Sequence, residues 1–156
     1  MIRFSDHVDR DLIPKSDVES FFQTKVARWM ELNSQGIYTI NTTVIDWITT
    51  DNTEKYYSFG KRGIVPEANQ MAFPALNELD NRPDWDWTQF DLDGNGQLDS
   101  LVFMHSGYGA ETTTTDCFGA DFNDRIWAHG EIVIFYFGAT RNQLQSILIY
   151  AIFSIL

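Results

Sequence analysis

The chain has 156 residues, enough for one domain with its own core, and its 44% hydrophobic and 15% aromatic content is that of a globular protein rather than a disordered one. Eleven basic residues stand against 22 acidic ones, a formal charge of −11, which argues against nucleic acid or an anionic membrane surface as a partner. The acidity has two readings: solubility, or carboxylates that serve a cation.

In chain order, Ile2 to Phe4 reads as the end of a strand. Ser16-Asp17-Val18-Glu19 has the form of a capping box, with Ser at the N-cap and Glu at N3. Val18, Phe21, Phe22, Val26, Trp29 and Met30 then recur near the helical period and predict a helix over Asp17 to Leu32, stopped by Asn33-Ser34-Gln35-Gly36. Residues 37–49 are rich in Ile, Val, Thr, Tyr and Trp and predict one or two strands. Thr50 to Gly63 is polar and reads as a surface loop carrying Tyr56-Tyr57. Ala68, Met71, Ala72, Ala75, Leu76 and Leu79 share one helical face; Pro66 suits the first turn, and Pro74 predicts a kink or break. Asn81-Arg82-Pro83-Asp84 is a turn. Leu98 to Met104 reads as a buried strand, and Thr112 to Asn123 as a loop. From Glu131 the character changes. Ile132 to Phe137 and Leu144 to Leu156 are unusually apolar, and the second run, at 13 residues, is too short for an ordinary membrane span.

Cys117 is the only cysteine, so no disulfide can form within these residues. Asn41-Thr42-Thr43 is a glycosylation sequon. Ile2-Arg3-Phe4-Ser5-Asp6-His7 after Met1 has neither the basic head nor the apolar run of a signal peptide; for a secreted protein the expectation is a start further upstream.

The densest chemical signal is Asp91-Leu92-Asp93-Gly94-Asn95-Gly96-Gln97-Leu98-Asp99. Asp91, Asp93 and Asn95 offer side-chain oxygens at positions 1, 3 and 5, Gln97 a backbone carbonyl at 7, and Asp99 a carboxylate at 9, while Gly94 and Gly96 permit a tight backbone. A short loop of this spacing wraps a hard cation such as Ca²⁺. Val102 stands at position 12, where an EF-hand has a bidentate Glu, so remaining ligands would come from elsewhere. The plainer reading is an Asp/Gly turn leading into a strand, which needs no metal.

The three histidines are His7, His105 and His129. A zinc site could draw on His105, His129, Glu111 and Cys117, but no pair has a recognised ligand spacing, and a hydrogen-bonded structural histidine is the commoner case. Ser106-Gly107-Tyr108-Gly109 is not a nucleophile elbow, because Met104 occupies its first glycine position, and nothing in the sequence places Cys117 beside His129.

Several blocks in order resemble one family, the secreted M6 (immune inhibitor A-like) zinc metallopeptidases. They are Arg3-Phe4-Ser5-Asp6-His7, Asn33-Ser34-Gln35-Gly36, Val44-Ile45-Asp46-Trp47, Tyr56-Tyr57-Ser58-Phe59-Gly60, Phe90 to Glu111, and Asp124-Arg125-Ile126-Trp127-Ala128-His129. The resemblance implies an α/β (α+β) fold: the upper lobe of a zincin, a twisted mixed sheet with packed helices, here incomplete. It implies a secreted, zinc-dependent endopeptidase acting on protein or peptide, with a supporting calcium ion. In zincins the two His of H-E-x-x-H bind zinc and the Glu activates the metal-bound water. That motif is absent from all 156 residues. The expectation is therefore an inactive fragment with no zinc ligand, no catalytic residue, and calcium at Asp91, Asp93, Asn95, Gln97 and Asp99. Residues 1–130 would be the partial peptidase domain and 131–156 a divergent apolar tail foreign to it. The alternative is a calcium-stabilised binding or adhesion module, or a pseudoenzyme.

Overall fold

The computed structural model describes residues 1–64, 66–130, 136–137, 144–145 and 151–154. It is a mixed α/β structure built on three short parallel strands. Ile2–Arg3 (β1) is central, flanked by Ile48–Thr49 (β2) and Phe103–His105 (β3). Ile2 stands opposite Ile48 on one side and His105 on the other. A central strand in a parallel sheet is covered on both faces. Ile2 and Phe4 are accordingly fully buried. Arg3 keeps its charge by reaching along the sheet, its Nε and Nη2 donating to Thr49 Oγ1 at 2.9 and 2.7 Å.

The long predicted helix is present with different ends. Lys15–Phe21 (α1) and Ala27–Asn33 (α2) are joined by a π-helical turn over Phe22–Val26. Thr24 Oγ1 donates back to Ser20 O within this stretch (2.7 Å), a bond that loosens a helix locally. The capping box does not form: the N-cap is Pro14, and Ser16 lies inside the first turn. Val18 is buried and Phe22, Val26 and Met30 are half-buried, a stripe at i+4 spacing, while Phe21 and Trp29 point to solvent. The helix stops where expected, Gly36 N–H closing on Glu31 O at 2.8 Å.

Two expectations fail in the middle of the chain. Of residues 37–49 only Ile48–Thr49 is a strand; β-branched composition alone does not supply a partner edge. Thr50 to Gly63 is not all surface loop, since Glu54–Ser58 (α3) is a short helix whose Glu54, Tyr57 and Ser58 are buried. Thr53 caps it, its side chain accepting from Tyr56 N–H at 3.2 Å. After Pro66–Ala72, a 3₁₀ helix, the α-helix Phe73–Asp80 (α4) begins with Pro74 in its first turn, so the proline falls at the change of helix type. All six residues of the apolar face are buried: Ala68, Met71, Ala72, Ala75, Leu76 and Leu79.

Leu98 is buried, but the strand starts only at Phe103, and Val102 is exposed. The core joins Ile2, Phe4 and Ile48 of the sheet region to Tyr57, Met71, Leu76, Leu79, Trp87, Phe103 and Ile126. Most of the tail from Glu131 lies outside the described residues. Within it, Tyr136–Phe137 (β5) pairs with Leu144–Gln145 (β6), and Ala151–Ser154 (β7) lies between β3 and the antiparallel strand His129–Gly130 (β4). No described helix is long and apolar enough to cross a membrane.

Burial separates two apolar residues that the sequence treats alike. Met71, fully buried, should lose about 2–5 kcal/mol of stability as Met71→Ala. Trp29, 60% exposed, should change stability by less than about 0.5 kcal/mol as Trp29→Ala. Urea denaturation of both variants checks the pair, and equal losses would mean that the long helix packs on the core.

Candidate functional site

The acidic loop is held at both ends by the core. The 3₁₀ helix Trp87–Phe90 precedes it, with Trp87 buried and Phe90 packed on Trp85 at 5.6 Å between ring centroids. Leu98 anchors the far end, and Asp99 N–H donates to Phe90 O at 2.8 Å, closing the loop. Between these anchors Gly94 and Gly96 take φ of 71° and 81°, the left-handed region where a side chain is strained. The carboxylates of Asp91, Asp93 and Asp99 converge, with one oxygen of each within 4.8 Å of the others. Backbone amides order them: Asp91 accepts from Asn95 and Gly96 N–H, Asp93 from Asn95 N–H, and Asp99 from Leu92 N–H. Asn95 joins through its side chain, Nδ2 donating to Asp93 and Oδ1 accepting from Gln97 N–H at 2.8 Å. Asp93 and Asp99 are exposed and Asp91 half-buried, so the oxygens face water. The donor set is oxygen throughout and fits a hard divalent cation rather than zinc.

A second cluster was not legible as a site in the sequence. Glu54 is 2% exposed and opens α3. Its Oε1 accepts from Ile126 N–H at 3.0 Å, and its Oε2 lies 3.5 Å from His7 Nε2. Its own N–H donates to Asp6 Oδ1 at 3.1 Å. The carboxyl rests against Gly107, where a Cβ would stand 2.4 Å from Oε1, so no other residue fits there without displacing it. His7 is also buried; its Nδ1 lies 3.0 Å from Ser106 O and 2.9 Å from Ser106 Oγ, and Phe4 N–H donates to the same Oγ.

Electrostatics follow from this burial. Desolvation pushes Glu54 up to about 8, against the Ile126 hydrogen bond and the charge of Arg10, which lower it. Desolvation and then the nearby Arg10 charge hold His7 down to about 4. The pair floors a pit of about 270 Å³ whose walls include Asp6, Arg10, Lys55, Asp121 and Asp124. Lys55 closes one side by an ion pair to Asp124 at 2.7 Å. Arg10 lies over the Phe118 ring, 4.1 Å from its centroid.

Among the described side chains, His105, Glu111 and Cys117 do not assemble into a zinc site. His105 is buried beside Phe4, with its Nδ1 accepting from Gly107 N–H at 3.2 Å. Glu111 is exposed and accepts from Ala128 N–H, and Cys117 is exposed, beside a Tyr108 hydroxyl whose pKa its hydrogen bond raises. Among the described residues the acidic loop is the only group of three or more His, Cys, Asp or Glu with converging ligand atoms, and it lacks the nitrogen or sulfur donors zinc favours. No step through zinc is derived for this chain.

Glu54 escaped the sequence reading because its helix has five residues, too few for periodicity to register. The available signal was the cap, Thr53 standing just before Glu54. No family model, curated protein or solved structure matches the chain.

Proposed function

We propose that the chain is the N-terminal part of the catalytic domain of a secreted, M6-like zinc metalloendopeptidase, that it has no peptidase activity as it stands, and that the Asp91–Asp99 loop holds a structural calcium ion. The observation that carries the first part is a convergence. Three of the six blocks that resemble the family meet around Phe4. Its ring packs on His7 of its own block at 5.4 Å, on Tyr57 at 6.0 Å and on His105 at 5.7 Å. The last block joins through Ile126, beside Glu54. Segments spread over more than 100 residues of sequence thus share one core, as pieces of one ancestral domain would.

The zincin-like lobe is the fold this reading requires, and the parallel sheet with packed helices is compatible with it. The calcium reading rests on oxygen donors at the spacing of a cation loop and on carboxylates already gathered by backbone amides. An ion bound there would join the ends of a loop that links Trp87 and Leu98, two core residues. A calcium-stabilised binding module would use the same loop. The sequence order of the other blocks favours the peptidase origin.

Two measurements test these proposals. Purified chain incubated with zinc and a denatured protein should release no peptides above a mock preparation, and chelator-sensitive cleavage would overturn the inactive reading. The gene's continuation beyond Gly130, translated in three frames, should contain H-E-x-x-H; its absence from all frames would favour the binding module.

Calcium at a hundredfold excess over its dissociation constant should add about 2.7 kcal/mol of stability if it binds only the folded chain. Asp93→Ala should remove most of that gain. A melting temperature identical with and without millimolar calcium would return the loop to a bare turn.

A further inference from the structure

We propose that the His7–Glu54 pair is a proton-held latch: one proton between the two side chains keeps the pit floor closed, and its loss on the alkaline side loosens the junction of four chain segments. The geometry that carries this is independent of the peptidase reading. Ser106 O can only accept, and it lies 3.0 Å from His7 Nδ1, while Ser106 Oγ at 2.9 Å can accept or donate, so a hydrogen on Nδ1 is the arrangement that satisfies the carbonyl. Nε2 of a neutral His7 is then a bare lone pair, and it faces Glu54 Oε2 at 3.5 Å. Two acceptors facing each other in a buried site repel, and one proton held by the pair relieves that cost. Glu54 Oε1 is occupied by Ile126 N–H, which leaves Oε2 as the oxygen that carries the proton toward His7.

The pair ties together segments far apart in sequence. His7 is bound to Ser106, and Glu54 to Ile126; Asp6 is bound to the first turn of α3, and Gly107 lies flat against the carboxyl. The charged groups that act on the pair come from every side. Asp6 and Arg10 lie on the segment after β1, and Asp116 on the loop before β4. Lys55, Asp121 and Asp124 line the opening, while the Arg125 guanidinium is turned away, donating to the carbonyls of Gly109 and Thr113. A bare Glu54 carboxylate would meet the His7 lone pair together with Asp6 and Asp116, with Arg10 as the opposing charge.

The sign of the pH dependence follows from proton counts. Unfolded, Glu54 titrates at 4.5 and His7 at 6.5; folded, they titrate at about 8 and about 4. Between pH 4.5 and 6.5 both states hold one proton on the pair, on His7 when unfolded and on Glu54 when folded, so the pair contributes no slope. Between 6.5 and about 8 only the folded state keeps it, and stability falls as pH rises. Each pH unit in that window costs a factor of about ten in the folding equilibrium, about 30-fold over the whole window.

Glu54→Gln tests the latch directly. Its amide can donate to His7 Nε2 and accept from Ile126 N–H at any pH, so it fixes the closed form. Urea unfolding of the full chain from pH 6 to 8.5 should show the alkaline loss in the wild type and a profile at least tenfold flatter in Glu54→Gln. A slope that persists in Glu54→Gln overturns the proposal. Should that variant fail to fold, the ¹⁵N shifts of the wild-type His7 ring decide. At pH 7 they should report a protonated Nδ1 and an unprotonated Nε2, with a change near pH 8. The opposite tautomer, or an imidazolium at pH 7, contradicts the latch.

Discussion

A carboxyl group at 2% exposure is costly unless one oxygen accepts a hydrogen bond and the other, protonated, faces an acceptor. Glu54 has the donor in Ile126 N–H and faces the acceptor nitrogen of His7. Much of the described fold is arranged around that requirement. The first strand must end so that His7 turns inward. The turn after β3 must be glycine at position 107, because a Cβ would collide with the carboxyl. The segment before β4 must present the Ile126 amide, which it does while Ala110 N–H holds Ile126 O at 2.9 Å. One buried acid thereby fixes the relative positions of four loops that the short strands alone would leave weakly specified.

The strands are short, two to four residues each in the parallel part of the sheet. So few ladder bonds give little stability, and burial supplies the rest. Phe4 illustrates the division of labour. Its ring packs into the core with Tyr57, and its amide reports to the polar cluster through Ser106 Oγ. Apolar packing and the buried hydrogen-bond network thus meet in one residue, so a disturbance of either is felt by the other.

Sequence reasoning recovered what periodicity and spacing encode. The apolar face from Ala68 to Leu79 is buried throughout, and the helix ahead of Gly36 stops where its residues say it stops. The acidic loop gathers Asp91, Asp93 and Asp99, and loop amides of Leu92, Asn95 and Gly96 hold their carboxylates in place. What was lost is what depends on distant partners. Residues 37–49 have strand composition, yet only Ile48 and Thr49 find an edge, that of β1. Phe21 and Trp29 have helical spacing but face solvent, since the buried stripe runs through Val18, Phe22, Val26 and Met30. Glu54 looked like one more surface acid in a polar stretch; its role is set by His7, Gly107 and Ile126, which lie 47, 53 and 72 positions away.

A fold organised around Glu54 requires that this carboxyl lock the Ile126 amide. Native-state hydrogen exchange of that single N–H is the direct measurement. Bonded to a buried carboxyl, it should exchange only through global unfolding, at the same free energy as the Ser106 amide that bonds Ile2 O in the sheet. Exchange at the rate of the exposed loop amides, while Ser106 stays protected, would contradict a fold organised around Glu54.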